Sequence, residues 1–516
     1  MLDRLFGTRV HYFIHLISIL GIAVGLSFGK AILSISMLLL IANFLLEANF
    51  SEAIRRIKNN SVLLFIIGFY LLILIGIFWS NDYSLGLKEL KSRLPFLAIP
   101  LIIGARTPLS RKEINWVLYF FLVSLTVASV YNYLCYTQII GSKTYTDIRG
   151  MSLFASHIRF GILIALGVGV AFYLQFIQKK FSWFFSMILL WLIFYTYYSQ
   201  VLSGYLALFM VVFASLFYFL WKWNKTVAIL SKLALLFVGV YYLSQFIHFD
   251  KQPIQPDNLE KYTVNNHKYY HSNEAFSEIN YKPIFAYYCE IEMYWEWNKV
   301  SDMDYMGNDL NNHFLRTTLA RYMTAMDLRK DSVDFQKLTE EDIRNVEMGY
   351  TNPNEKHQHL QARINGIRYQ LLNNEDPNGH SLLQRFEYWK TSIYLIKKNW
   401  LIGVGTGGNQ KAFDQAYNEL NSKLSETNRL RSHNMFFTYF ISYGIIGIIS
   451  FLFLLLLIAN QSLRSGCLLG VQFIFVISTS FLIEDTLETQ LGVTIFGFFA
   501  ALLINWKNLN SEKVSA

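Results

Sequence analysis

The sequence predicts an all-α polytopic membrane protein of about twelve transmembrane helices, with a large helical extracytoplasmic loop between spans nine and ten. Three observations lead there. Of 516 residues, 53% are hydrophobic and only 16% charged, against roughly 25% charged in a soluble domain. Apolar stretches near the roughly 20 residues that cross about 30 Å of hydrocarbon recur in both terminal parts of the chain. Between these parts runs one long polar stretch, residues 249–432.

In order, the candidate spans cover about 12–28, 31–46, 61–79, 94–105, 114–136, 157–178, 181–198, 201–220, 227–247, 433–459, 467–483 and 491–506. The fourth, LPFLAIPLIIGA, is short and carries Pro95 and Pro100, which favour a kinked or partly spanning helix. The domain organisation is therefore 1–248 (nine spans), 249–432 (outer loop) and 433–516 (three spans and a short tail). The first span is expected to be retained rather than cleaved, because no small-residue cleavage site follows it.

Orientation follows from lysine and arginine. With both termini inside, the cytoplasmic ends hold 16 of them and the short outer loops 6. The formal charge of +9 is thus mostly a topology signal, since residues 249–432 carry 22 Lys plus Arg against 25 Asp plus Glu. Nucleic acid is excluded as a partner, whereas membrane lipids are expected ones. No inverted repeat with paired broken helices points to a transporter. Cys135, Cys289 and Cys467 are scattered, so no disulfide is expected.

The first ionisable residues at a span entrance are His157 and Arg159 in SHIRFGILIALG. Charges at membrane depth are functional candidates, though both equally suit the headgroup layer. The outer region is too long for a connector and too rich in Tyr, Trp, Leu and Ile for disorder. LNNHFLRTTLARYMTAMDLRK and HQHLQARINGIRYQLLNNE have helical spacing. His313, His357, His359 and His380 do not converge as metal ligands, and no metal or cofactor is expected. Glu290, Glu292 and Glu296 in EIEMYWEWNK read as a solvated face rather than a glycosidase pair.

From Ser381 the pattern tightens. SLLQRFEYWKTSIYLIKKNW is amphipathic, with Leu382, Leu383, Phe386, Trp389, Ile393 and Ile396 on one face, as in a surface-lying helix. GVGTGG follows, and its Gly405 and Gly407 either converge backbone N–H groups on an anion or simply make a tight turn with positive φ. Then Arg429, Arg431, His433 and Asn434 stand immediately before an apolar run from Met435 to Ala459, at the outer mouth of the tenth span. Glu484, Asp485 and Glu488 occupy the outer turn between the last two spans, where they order arginines or an acceptor, or cap helices.

The segments QRFEYWKTSIYLIKKNWLIGVGTGGNQKAF, RSHNMFFTYFISYGIIGIISFL and SFLIEDTLETQLGVTIFGFFAALL, with SHIRFGILIAL earlier, resemble the O-antigen ligase and polymerase family in its long-outer-loop form. These are polytopic enzymes of bacterial surface glycan export. The resemblance implies the bacterial inner membrane and a metal-independent, inverting glycosyl transfer. It implies a polyprenyl-diphosphate-linked glycan donor and a glycan, lipid (such as lipid A core) or protein acceptor. It puts the catalytic histidine at His433 and the loop arginine at Arg385. Many members carry arginine at the start of the eighth span, where this chain has Ser203. Polymerisation and protein glycosylation are the alternatives within that chemistry, and glycolipid transport the alternative outside it.

The residue types suit this chemistry on their own account. An attacking sugar hydroxyl must lose a proton, and imidazole, with an ordinary pKa of about 6.5, is a base for neutral pH. Arginine forks hold a leaving diphosphate bidentately and take the place of a metal. Arg385, Arg159, Arg429 and Arg431 are candidates for that clamp, with Asn434 and His157 in support; each arginine equally suits lipid anchoring.

Overall fold

The computed structural model describes residues 7–143, 148–177, 182–355, 359–373, 376–379 and 381–511. Helices α1 (Thr8–Phe28), α2 (Lys30–Glu47), α3 (Phe50–Lys58), α4 (Ser61–Ile75), α5 (Tyr83–Ala105) and α6 (Arg111–Tyr136) open the chain. Next come α7 (His157–Ile177), α8 (Ser182–Ser199), α9 (Leu202–Trp223) and α10 (Lys225–Ile247). The polar region holds α11 (Glu290–Val300), α12 (Leu315–Ala325), α13 (Ser332–Phe335), α14 (Glu340–Glu347), α15 (His359–Asn373), α16 (Ser381–Lys398) and α17 (Asn409–Glu419). The chain closes with α18 (Met435–Arg464), α19 (Leu468–Ile483) and α20 (Gln490–Ser511).

Among the described residues, nine helices are long and apolar enough to cross a membrane: α1, α2, α4 with the turn after it, α6 to α10, and α18. The difference from twelve lies in three places. The fourth candidate is the second half of α5, a 23-residue helix whose first half carries Lys88, Glu89, Lys91 and Arg93. The last two candidates form α19, of 16 residues, and the apolar part of α20, Gln490–Trp506. The architecture is all-helical, with isolated β-bridges but no sheet among the described residues.

Two compact units are present, Met1–Lys232 with Arg385–Ala516, and Leu233–Gln384. Hydropathy changes at 248 and 432, whereas packing changes at 232 and 384. Residues 385–432 belong with the apolar helices. In that unit α1 packs on α2 and α6, α5 on α20, α7 on α8 and α9, and α19 on α9 and α18. The second unit has its own core, in which Met293 and Trp297 of α11 meet Leu319, Tyr322 and Met323 of α12. Both helical predictions for this region hold, as α12 and α15.

α16 buries a different face from the one expected. Tyr388, Thr391, Ser392 and Leu395 are buried, while Phe386 and Ile393 are exposed. EIEMYWEWNK also differs: it forms α11, and Glu292 is buried rather than solvated. Its carboxylate accepts from Thr263 Oγ1 (2.5 Å) and Ser332 N (2.7 Å) and lies 2.9 Å from His267 Nδ1. Burial pushes this carboxyl up, but those hydrogen bonds overcome it and hold it at about 2.

Candidate active site

A break in α18 shapes the site. Gly444 has φ 60° and ψ −152°, a conformation that essentially only glycine adopts. The break frees carbonyls, and the glycine loop takes them up. Val404 N donates to Ile441 O (2.8 Å), Gly405 N to Ser442 O (2.9 Å) and Thr406 N to Gly76 O (2.9 Å), while Ile445 N reaches back to Trp400 O (2.8 Å). Irregular backbone among apolar helices is stable only when its polar groups are satisfied in this way. A side chain at Gly407, whose φ is 88°, would overlap the backbone of Gly86. The loop is therefore a backbone stitch, and the N–H of Gly405 points into it rather than to an anion.

Thr406 extends the stitch inward. Its hydroxyl reaches Ile73 O (2.5 Å) and Tyr443 Oη (2.9 Å). Tyr443 in turn accepts from Arg93 Nη1 (3.1 Å). Arg93, 2% exposed, also donates to Glu89 (3.1 Å) and Glu488 (2.8 Å). Arg431 closes the circuit, 3.0 Å from Glu89 and 2.5 Å from Glu488. Two arginines and two glutamates thus form a neutral, largely buried box joining α5, the loop before α18 and the turn before α20, with Arg431 at its half-buried edge. Glu488 raises the Arg431 pKa against the effect of burial, with Glu89 assisting.

His433 stands two residues beyond Arg431. Its backbone is left-handed, φ 47°, which a non-glycine residue keeps only when its surroundings hold it. Here His433 N donates to Asp485 Oδ2 (3.0 Å), and Asp485 Oδ1 accepts from Thr438 Oγ1 (2.8 Å) and Ser432 Oγ (3.3 Å). Burial and the nearby Glu488 push the Asp485 carboxyl up, against the pull of His433 and Arg431. Asn434 caps α18 through Phe436 N (3.0 Å) and Phe437 N (3.2 Å) and donates to Leu482 O (3.1 Å). It therefore positions the backbone and leaves the imidazole ring alone.

Three cationic or basic groups act on Glu484. His433 Nδ1, buried and without a hydrogen bond, lies 3.8 Å from Glu484 Oε2. Arg159 Nη2 lies 3.3 Å from Glu484 Oε1. Arg385 is half-buried and has no hydrogen bond or ion pair among the described residues. Burial pushes the Glu484 carboxyl up, but His433, Arg159 and Arg385 outweigh it and hold the pKa below the ordinary value. Tyr388, one turn beyond Arg385 on α16, places its ring 5.6 Å from that of His433.

The structure thus brings His433 and Arg159 to Glu484, with the charge of Arg385 also acting on that carboxylate. It commits Arg431 and Glu488 to the box. Arg429 is committed to Asn418 Oδ1 (2.6 Å) and Leu424 O (3.1 Å). His157 lines a narrow crevice with Gly161 and Gly204 between α7 and α9. Ser203 Oγ nearby is buried without a partner. Sequence reading missed Glu89, Arg93, Tyr443 and Tyr388. A Glu and an Arg four apart, just before an apolar proline-containing run, was the available signal for the first two. Among the described residues one trio, His267, Cys289 and Glu292, places ligand-type atoms within 4.8 Å of one another. Glu292 there is the hydrogen-bond hub already described. His357 and His380 lie outside the described residues.

Residues 351–452 match the family model described as O-antigen ligase. The chain carries an O-antigen ligase family domain. The matched stretch contains Arg385, the glycine loop, Arg429, Arg431, His433 and the break at Gly444, and it supports a glycan-handling enzymatic role. No curated protein matches the chain. Arg159 and Glu484 to Glu488 lie outside the O-antigen ligase match, so the surroundings of His433 are completed from other parts of the sequence.

The box makes a testable claim. E488Q leaves the buried Arg93 and the half-buried Arg431 facing one carboxylate, and breaking a fully buried pair costs about 3–5 kcal/mol. Purified E488Q should melt several degrees below the parent, while H433A should melt within about 1 °C of it. Equal melting of E488Q and the parent would show that the box does not hold the fold.

Proposed function

We propose that this protein transfers a glycan from a polyprenyl-diphosphate donor to an acceptor, by a metal-independent, inverting displacement. The observation that carries the reading is the group around Glu484, which His433 and Arg159 approach directly and on which the unpaired Arg385 acts by its charge. His433 Nδ1 is buried on the Glu484 side, which leaves Nε2 as the nitrogen for substrate. In the proposed step the acceptor oxygen bonds to the anomeric carbon and its proton passes to Nε2. The bond from that carbon to the diphosphate breaks, and the electron pair leaves on the diphosphate.

Arg385 supports this reading as an unpaired guanidinium. Arg159 supports it because 3.3 Å is long for a charge-assisted contact, so a phosphate oxygen competes well with Glu484. With Ser203 where an arginine is common in the family, these two carry the leaving-group charge. The acceptor is a glycan, lipid A core or protein.

The charge bias supports an orientation with both termini inside and this mouth outside, and the resemblance to O-antigen ligases supports the bacterial inner membrane as the setting. An impermeant thiol reagent added to intact spheroplasts should label N354C and spare K222C. Labelling of K222C alone would invert the orientation.

The clamp has its own test. Lysine keeps the charge but lacks the planar fork. R385K and R159K should each lose at least about tenfold in transfer rate, as expected when a charged bidentate contact worth about 1.5–3 kcal/mol becomes a point contact. Rates within about twofold of the parent for both would assign these arginines to lipid anchoring.

A further inference from the structure

The unit Leu233–Gln384 contains a cleft of about 770 Å³, lined by residues of loop 308–314, α12 and α15. That volume lies within the range of about 300–1,000 Å³ usual for small-molecule sites. Its wall is built rather than incidental. The buried Asp309 accepts from Asn311 N (2.9 Å), His313 N (3.0 Å) and Thr318 Oγ1 (2.6 Å), which fixes the loop. The loop ends on Phe314, a cleft-lining residue that is 62% exposed. Across α12, Arg321 stacks 3.8 Å from the Tyr369 ring centroid and donates to Glu278 (2.7 Å), while its Nε is buried without a partner.

The chemistry of this lining is selective. Asparagine, glutamine and threonine side chains dominate the polar groups; Asn308 donates to Asn312 Oδ1 (3.1 Å) and Asn311 to Met348 O (2.9 Å), and the remaining amide donors and acceptors of the lining are neutral hydrogen-bonding groups. The charged groups are balanced inside the wall, Arg321 being held by Glu278 with Glu355 near. A polyanion therefore finds no uncommitted cation in Arg321. An extended peptide adding to a sheet finds no edge, because the described residues form only isolated bridges. A hexose meets both features: its C–H face stacks on an aromatic ring, and its hydroxyls pair with amides and hydroxyls.

We propose that this cleft binds a neutral oligosaccharide and serves as a recognition subsite for the acceptor glycan. The role as acceptor subsite rests on the glycan-transfer reading, whereas the binding itself does not. The test uses the full-length protein in a detergent without sugar headgroups. Saturation-transfer NMR would be run with maltopentaose, cellopentaose, chitopentaose and mannopentaose, and with a Ser/Thr-rich peptide. At least one pentasaccharide should show saturation transfer, weakened about tenfold by F314A and by Q370A and unchanged by H433A. Phe314 is exposed and Gln370 partly so, and unchanged melting temperatures would confirm that both variants fold. No pentasaccharide signal sensitive to these variants, or a sensitive signal from the peptide instead, would overturn the proposal. Retention of sugar binding alongside unimpaired transfer by H433A would leave the cleft standing while the transfer mechanism fell.

Discussion

The buried guanidinium of Arg93 is the constraint on which the mouth depends. A cation 2% exposed among apolar helices must be paired, and Arg93 is held through both terminal nitrogens while its Nε is buried without a partner. Glu89 comes from its own helix, Glu488 from the turn before α20, and Tyr443 from the turn of α18 just before the break. Because Arg431 completes the same set, satisfying Arg93 also fixes the chain two residues before His433. The left-handed backbone of His433 is then secured by Asp485 and by the Asn434 cap. The imidazole is positioned from beneath, by electrostatics, and from its own backbone.

The glycine loop belongs to this support. It stitches the broken α18 to the turn after α4 through backbone hydrogen bonds and delivers Thr406 to Tyr443. Glycine is required there for close approach, so the loop's contribution to chemistry is indirect. The cations then fall into two groups. Arg93, Arg429 and Arg431 are committed to protein acceptors, whereas Arg159 lies 3.3 Å from Glu484 and Arg385 has only its charge acting on that carboxylate. That division supports the proposal that the second pair takes the charge of a departing diphosphate.

Much of this was legible in the sequence, for physical reasons. Apolar length reveals a span without tertiary information, so most spans were readable, and helical spacing of apolar residues made α12 and α15 readable. His433 stood out because a polar cluster abuts an uninterrupted apolar run. The boundary at 384 was not legible, since residues 385–432 are polar in composition yet pack with the apolar helices. Nor was the sorting of arginines. Which carboxylate takes which guanidinium depends on contacts between residues more than 300 positions apart, as between Arg93 and Glu488. The α16 face was misassigned because both of its sides carry large apolar residues, and only packing distinguishes Tyr388 from Phe386.

The most direct test of the account is the turnover of H433A with a purified polyprenyl-diphosphate glycan and acceptor in excess chelator. The parent should remain active under these conditions, and H433A should lose about 10²- to 10⁴-fold, the share of a general base, while still binding donor. Parent activity that disappears in chelator and returns with one divalent ion, or near-parental turnover by H433A, would contradict it.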